Sequence, residues 1–201
     1  MNLRTTLPVA TLALLLTAGC TAGGVEPPGL TSASTISTPT PTPAPTADPD
    51  GILVESDPEM GIVFEDVPTL TGAEADVYDT VALYEKAYWT TMTTNQVNPL
   101  FDTIASPELK TMMEQIAATN AGISADIGGT YRVRISQITV GDDGTAGAIL
   151  CSDFSSVTFA DPNGTYPPGE VGYGERRRSV YTLRDLTTHW QVTTDVRDGT
   201  C

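Results

Sequence analysis

Basic residues, histidine, cysteine and long apolar runs are all scarce in this chain of 201 residues. Lys and Arg total 10 against 25 Asp and Glu, for a formal net charge of −15. That balance excludes the phosphate-neutralising surface that nucleic-acid binding requires. One histidine, His189, and three cysteines leave no cluster of His, Cys, Asp or Glu at metal-ligand spacing. No apolar stretch reaches the ~20 residues of a membrane-spanning helix. A Gly-x-Ser-x-Gly elbow, a phosphate loop and a dinucleotide fingerprint are missing too. No catalytic constellation, metal or cofactor is therefore expected.

The longest apolar run stands first. Arg4 precedes Leu7 to Leu16, and the small residues Thr17-Ala18-Gly19 follow, which is signal-peptide anatomy. The junction Leu16-Thr17-Ala18-Gly19-Cys20 resembles the lipobox of bacterial lipoproteins, with Thr17 where that family usually carries Leu or another aliphatic. The resemblance implies that residues 1–19 are removed and that Cys20 is acylated, by palmitate or a similar chain. The mature protein would then be anchored in the cell membrane on its extracytoplasmic face. Loss of Arg4 with the signal takes the charge from −15 to −16.

An odd cysteine count in an exported protein asks for a separate explanation of one of them. Lipidating Cys20 leaves Cys151 and Cys201 as an even pair, and their disulfide would close a loop of about 50 residues, worth roughly 4 kcal/mol in the chain-entropy description. Between Arg4 and Lys86 there is no cation, while Glu55, Asp57, Glu59, Glu65, Asp66, Glu74, Asp76 and Asp79 accumulate. Anionic headgroups repel such a segment, so the anchor would hold near the bilayer what its charge holds off; the alternative is a merely solvated acidic face.

Residues 20–50 are rich in Gly, Ser, Thr and Pro around Thr38-Pro39-Thr40-Pro41-Thr42-Pro43, a composition that buries no core. Extended at about 3.1 Å per residue, it reads as a semi-rigid, disordered stalk. Residues 51–70 carry the short patches Ile52-Leu53-Val54 and Ile62-Val63-Phe64 and read as an extended arm laid on a domain spanning 71–201. That domain opens with Thr71-Gly72-Ala73-Glu74, a capping-box pattern. A helix to about Thr94 follows, with Val77, Val81, Tyr84, Tyr88 and Met92 forming its apolar stripe and Asp76, Asp79, Thr80 and Lys86 lying away from it. Ser106-Pro107-Glu108 starts a second helix that Gly122 closes.

After Gly128-Gly129 the period changes to two. Tyr131, Val133 and Ile135 alternate with polar residues, and the phase slips near Ser136-Gln137, which predicts a bulge and a bent strand. Gly141-Asp142-Asp143-Gly144 is a hairpin turn. Further strands are expected from Thr145 to Phe159, Arg178 to Leu186 and His189 to Val196, with Trp190, Val192, Thr194 and Val196 on one face. Helices first and an antiparallel meander second give an α+β domain, with N-terminal helices packed on a curved antiparallel sheet of about four strands.

That order, the long first helix, the bent strands and the closing Trp190-Gln191-Val192 resemble the NTF2-like (SnoaL-like) cone fold over Thr71 to Val196. The resemblance implies either a non-catalytic binder or an enzyme of the isomerase or hydrolase kind, since the family holds both. The enzyme would need an acid beside a tyrosine in an apolar pocket, and Asp153, Tyr84, Tyr88, Tyr131 and Tyr181 supply candidates; tyrosines at such spacings are more often core residues. Arg176-Arg177-Arg178 is the one basic run. It is either a patch for an anionic ligand or partner or is paired with nearby carboxylates such as Glu170 and Glu175. His189, beside Trp190, falls on the outer face of its strand. The expected function is a lipid-anchored module of the cell envelope that binds a small apolar ligand or an envelope protein, with the cone-fold enzyme as the alternative.

Overall fold

Helix α1 (Ala73–Thr94) is the axis of the structure, a computed structural model that describes residues 53–201. The signal segment, Cys20 and the Thr/Pro-rich stretch lie outside the described residues. Twelve of the 22 residues of α1 are buried, more than one apolar stripe provides, because both sides of the helix are covered. Val77, Val81 and Tyr84 face the sheet as the spacing requires. Thr80 and Thr91 are buried as well, and their hydroxyls donate to the carbonyls of Asp76 and Ala87 four residues back, which satisfies them without another partner.

The start of α1 departs from the capping box. Gly72, at φ 62°, is the N-cap and no side chain caps the helix. The positive-φ turn at Gly72 starts the helix one residue late, so Thr71 and Glu74, though three residues apart, do not hold the N-cap and N3 positions that reciprocal capping needs. Glu74 and Asp76 still sit in the first turn, where the helix dipole favours acids. Asn95, in the left-handed region, ends the helix. A short turn, α2 (Phe101–Ile104), leads to α3 (Pro107–Gly122), whose cap is the expected one: Ser106 Oγ accepts from Leu109 N, with Pro107 in the first turn.

The sheet has six strands and is mixed rather than four-stranded and antiparallel. The arm supplies β1 (Ile62–Phe64), which pairs in parallel with β2 (Asp126–Val140). Antiparallel pairing continues through β3 (Thr145–Asp161), β5 (Arg177–Asp185) and β6 (Trp190–Thr200), in the order β1-β2-β3-β5-β6. A three-residue strand β4 (Gly164–Tyr166) pairs with the end of β3 after the Asp161-Pro162-Asn163-Gly164 turn. The expected slip in β2 is a register shift between Ser136 and Thr139, with Gln137 at φ 51°.

A second irregularity changes the face of β6. Thr182 pairs with Thr194 but Leu183 pairs with Val192, so Thr193 is extra and the side-chain phase reverses there. Trp190 and Val192 are in the core, whereas Val196 is 55% exposed and Asp195 turns inward beside Tyr181. The four residues Trp190, Val192, Thr194 and Val196 thus do not share a buried face. On the free edge of β6, Ser106 N donates to Val192 O at 2.8 Å and the Gln191 amide to Ala105 O at 3.1 Å.

The arm is also tied to α1. Asp79 Oδ1 accepts from Val54 N at 2.6 Å, and the Trp89 indole donates to Met60 O at 2.8 Å. Gly61 O accepts from Tyr131 N at 2.8 Å, and Ile62 and Phe64 enter the core. At Gly61, φ +84°, an added Cβ would meet Gly129 O at 2.4 Å. Gly61→Ala is therefore expected to destabilise the protein by about 1–3 kcal/mol in urea unfolding, through strain and forced separation of arm and sheet. Gly72→Ala, where φ is +62° but open space surrounds the site, should cost only about 1 kcal/mol.

Candidate functional site

Glu85 occupies a position on α1 next to the Val81 and Tyr84 stripe and is 2% exposed. Its carboxylate is held by two phenols: Tyr131 of β2 donates to Oε2 at 2.6 Å and Tyr181 of β5 donates to Oε1 at 2.5 Å. Because β3 lies between β2 and β5, the one carboxylate spans the central strand. Burial pushes the Glu85 carboxyl up to about 7, against the two hydrogen bonds that favour its ionised form. Burial likewise raises Tyr131 and Tyr181, each facing the Glu85 charge.

Two neighbours extend this cluster. Asp195, turned inward by the β6 bulge, lies across from Tyr181 in the β5–β6 ladder, and burial raises its carboxyl. The Tyr84 hydroxyl is buried with no hydrogen-bond partner, its ring edge-on to Phe101 at 5.2 Å and to Tyr181 at 5.6 Å. Tyr84, Glu85, Tyr131 and Tyr181 are each at most 2% exposed, so a substrate reaches them only if α1 separates from the sheet. Proton transfer to a bound molecule needs hydrogen-bond reach, which this closed core denies.

Open space lies elsewhere, along the arm. One groove of about 580 Å³ is lined by Leu53, Val54, Pro58, Val67, Pro68 and Leu70, with Glu55 at its wall. A second, of about 350 Å³, lies between Asp66, Pro68 and Leu70 and the bulged part of β2 from Arg134 to Ile138. Pro68 and Leu70 wall both. The first falls within the roughly 300–1,000 Å³ of ligand sites.

Among the acid and tyrosine candidates from the sequence, Tyr131 and Tyr181 meet at Glu85 and Tyr84 lies alongside. Tyr88 belongs to an aromatic stack with Tyr131 at 6.0 Å. Asp153 is remote from them: it bonds Arg176 Nε at 2.9 Å on the outer face. Burial pushes its carboxyl up, but Ser155 and Arg176 outweigh that and hold it below the usual range. Sequence reasoning missed Glu85 and Asp195. The signal for Glu85 was its place four residues after Val81 and four before Trp89.

The arginine run is engaged within the chain. Arg176 pairs with Asp153 and Arg178 with Asp198, not with Glu170 or Glu175. Arg177 stacks over Tyr173 at 3.7 Å and donates to Gly172 O at 2.5 Å, while its Nε is buried without a partner. His189 Nε2 lies 3.1 Å from Thr103 O, which requires the Nε2–H tautomer, and ties β6 to α2. The Cys151 and Cys201 sulfurs are at disulfide distance, with Cα atoms 6.1 Å apart. Among the described residues no group of three His, Cys, Asp or Glu could hold a metal ion, and no helix is long and apolar enough to cross a membrane.

No protein-family profile matches the chain and no curated protein matches it. Among solved structures it is similar to the crystal structure of the intermembrane space region of the chloroplast protein ARC6. The TM-score is 0.47 at 13% identity, over 66% of this chain and 100% of that one. A likeness of that degree carries no argument about function.

The Glu85 cluster makes stability depend on pH. The folded protein holds the Glu85 proton to about 7 whereas the ordinary value is 4.5, so its contribution is full below about 4.5 and is lost as pH rises through 7. Urea unfolding at about pH 4.5, 6 and 8 should show a decline on the order of a few kcal/mol, and Glu85→Gln should flatten it.

Proposed function

We propose that this protein is a membrane-anchored extracytoplasmic lipoprotein, held by a lipid on Cys20, whose cone-like NTF2-type domain is a non-catalytic binding module of the cell envelope. The observation that carries the reading is where the open apolar surface lies. The acid and tyrosines are sealed in the core, whereas Leu53, Val54, Val67, Pro68 and Leu70 line an open groove. Val67 is 47% exposed there. Mostly apolar grooves with a few polar groups at the wall suit a small apolar ligand or an apolar segment of an envelope protein. The lipobox-like junction and the pairing distance of Cys151 and Cys201 support an oxidising, extracytoplasmic location.

The alternative is a cone-fold envelope enzyme of the isomerase or hydrolase kind. Glu85 between Tyr131 and Tyr181 favours it, being an acid with a raised proton affinity among phenol donors. Opening of α1 from the sheet would be needed for any substrate to enter.

Native mass spectrometry of the protein purified gently from its own cells tests the main reading. A co-purifying apolar molecule or envelope protein is expected, and Leu70→Glu, which puts a charge in the shared wall of both grooves, should remove it. An empty protein, or retention by Leu70→Glu, counts against the groove. Cys20→Ala should release the protein from membranes to the medium; continued membrane retention would sink the anchor.

A further inference from the structure

Strand β2 has an edge that β1 covers only in part. Tyr131 N donates to Gly61 O at 2.8 Å and Val133 O accepts from Glu65 N at 2.7 Å, so these two residues turn their backbone groups toward β1. Alternation along the strand points the N–H and C=O of Ile135 to the same edge. The pairing of β1 stops at Phe64 opposite Val133, and Asp66, at φ 52°, takes the arm off the ladder. Among the described residues neither backbone group of Ile135 has a hydrogen-bond partner on that edge. Ile135 is 2% exposed and lies in the wall of the groove of about 350 Å³. A buried N–H and C=O without partners cost free energy, and an added strand is what supplies both at a sheet edge.

The arm provides the other wall. Pro68 and Leu70 share this groove with Ile135 and Ile138 and continue into the larger one toward Leu53 and Glu55. Pro68 has no N–H with which to close the edge itself. The bulge between Ser136 and Thr139, with Gln137 at φ 51°, ends the regular edge just past Ile135, so pairing is short. Antiparallel pairing suits that limit, because one incoming residue then exchanges both bonds with Ile135. Its side chain falls on the inward face with Ile135, and the side chains next to it fall on the outer face with Arg134.

Charge decides what those outer side chains are. Arg132 and Arg134 are taken by Glu65 and Asp66, each at 3.5 Å. Glu55 at the wall of the larger groove and Asp142, just past the end of β2, have no basic partner among the described residues. The chain carries −15 in all, a field that draws cationic segments and repels acidic ones. We propose that the Ile135 edge of β2 takes an extended peptide of a partner protein, with apolar and basic residues alternating, as an added antiparallel strand beside the Pro68 and Leu70 wall. This occupant rests on the grooves along the arm being the binding surface.

The probe is a fluorescein-labelled peptide of alternating Val and Lys, titrated onto the full chain and followed by anisotropy. It should bind, and a peptide of alternating Val and Glu should bind at least about tenfold more weakly. Methyl groups on the valine amides, which face the edge, should weaken binding about tenfold, whereas methyl groups on the lysine amides should leave it within about twofold. Any other pattern, or no binding of the Val and Lys peptide, overturns the proposal. Hydrogen exchange locates the contact: the Ile135 amide should slow by about tenfold with the peptide bound. An Ile135 amide already slow without peptide means that another segment of the chain or a second copy holds the edge, and it overturns the proposal as well. Leu70→Glu separates this inference from the groove reading. Peptide binding that survives it, with Ile135 still protected, keeps the edge and removes the groove wall. A small apolar molecule that Leu70→Glu displaces, with no peptide at Ile135, keeps the groove and removes the edge.

Discussion

A carboxylate in the centre of the helix-to-sheet interface is the constraint on which the remaining structure depends. Glu85 reaches two strands that do not touch each other, and it does so with two phenols and no cation. An apolar residue there would be easier to bury, since replacing buried charge by hydrophobe is often neutral or stabilising. What a hydrophobe does not provide is register. Two hydrogen bonds of about 2.5–2.6 Å fix the rotation and translation of α1 over β2, β3 and β5 together, and breaking either phenol leaves a buried anion short of a donor.

The aromatic cluster follows from that placement. Tyr131 stacks on Phe154 at 4.6 Å and on Trp89 at 5.3 Å, and Phe154 and Phe159 carry Tyr173 at 4.5 and 5.2 Å. Trp89 in turn holds the arm through Met60 O. The same helix therefore seals the core on one side and positions the groove walls on the other. Substrate-like access to the acid and an open surface on the arm are alternatives built from one helix, and the packing favours the second.

How far the sequence could be read is decided by particular residues. Ser106 and Pro107 announced α3 because capping is local chemistry, and the slip at Ser136-Gln137 was visible because β2 alternates cleanly on both sides of it. Gly72 hid the true start of α1, since Thr71 and Glu74 have the right spacing for a box that the left-handed glycine forbids. Glu85 was hidden because its partners Tyr131 and Tyr181 are 46 and 96 residues away, and the arm is too short and acidic to announce itself as a strand. β1 has only three residues, and its pairing is parallel to a strand more than sixty positions away. Asp195 was placed outward by simple alternation, and only the extra residue at Thr193 turns it in. The arginine partners Asp153 and Asp198 are distant in sequence, so nearest-neighbour reasoning chose Glu170 and Glu175.

The join between Cys151 and Cys201 makes a covalent ring of the second half of β3 with β4, β5 and β6. Strands β4, β5 and β6 are closed off between the two joined cysteines. Unravelling that respects the ring must start from the N-terminal side, and the outermost described piece on that side is the arm. Loss of structure would then run in a fixed order: groove walls first, α1 next, and the ringed strands last.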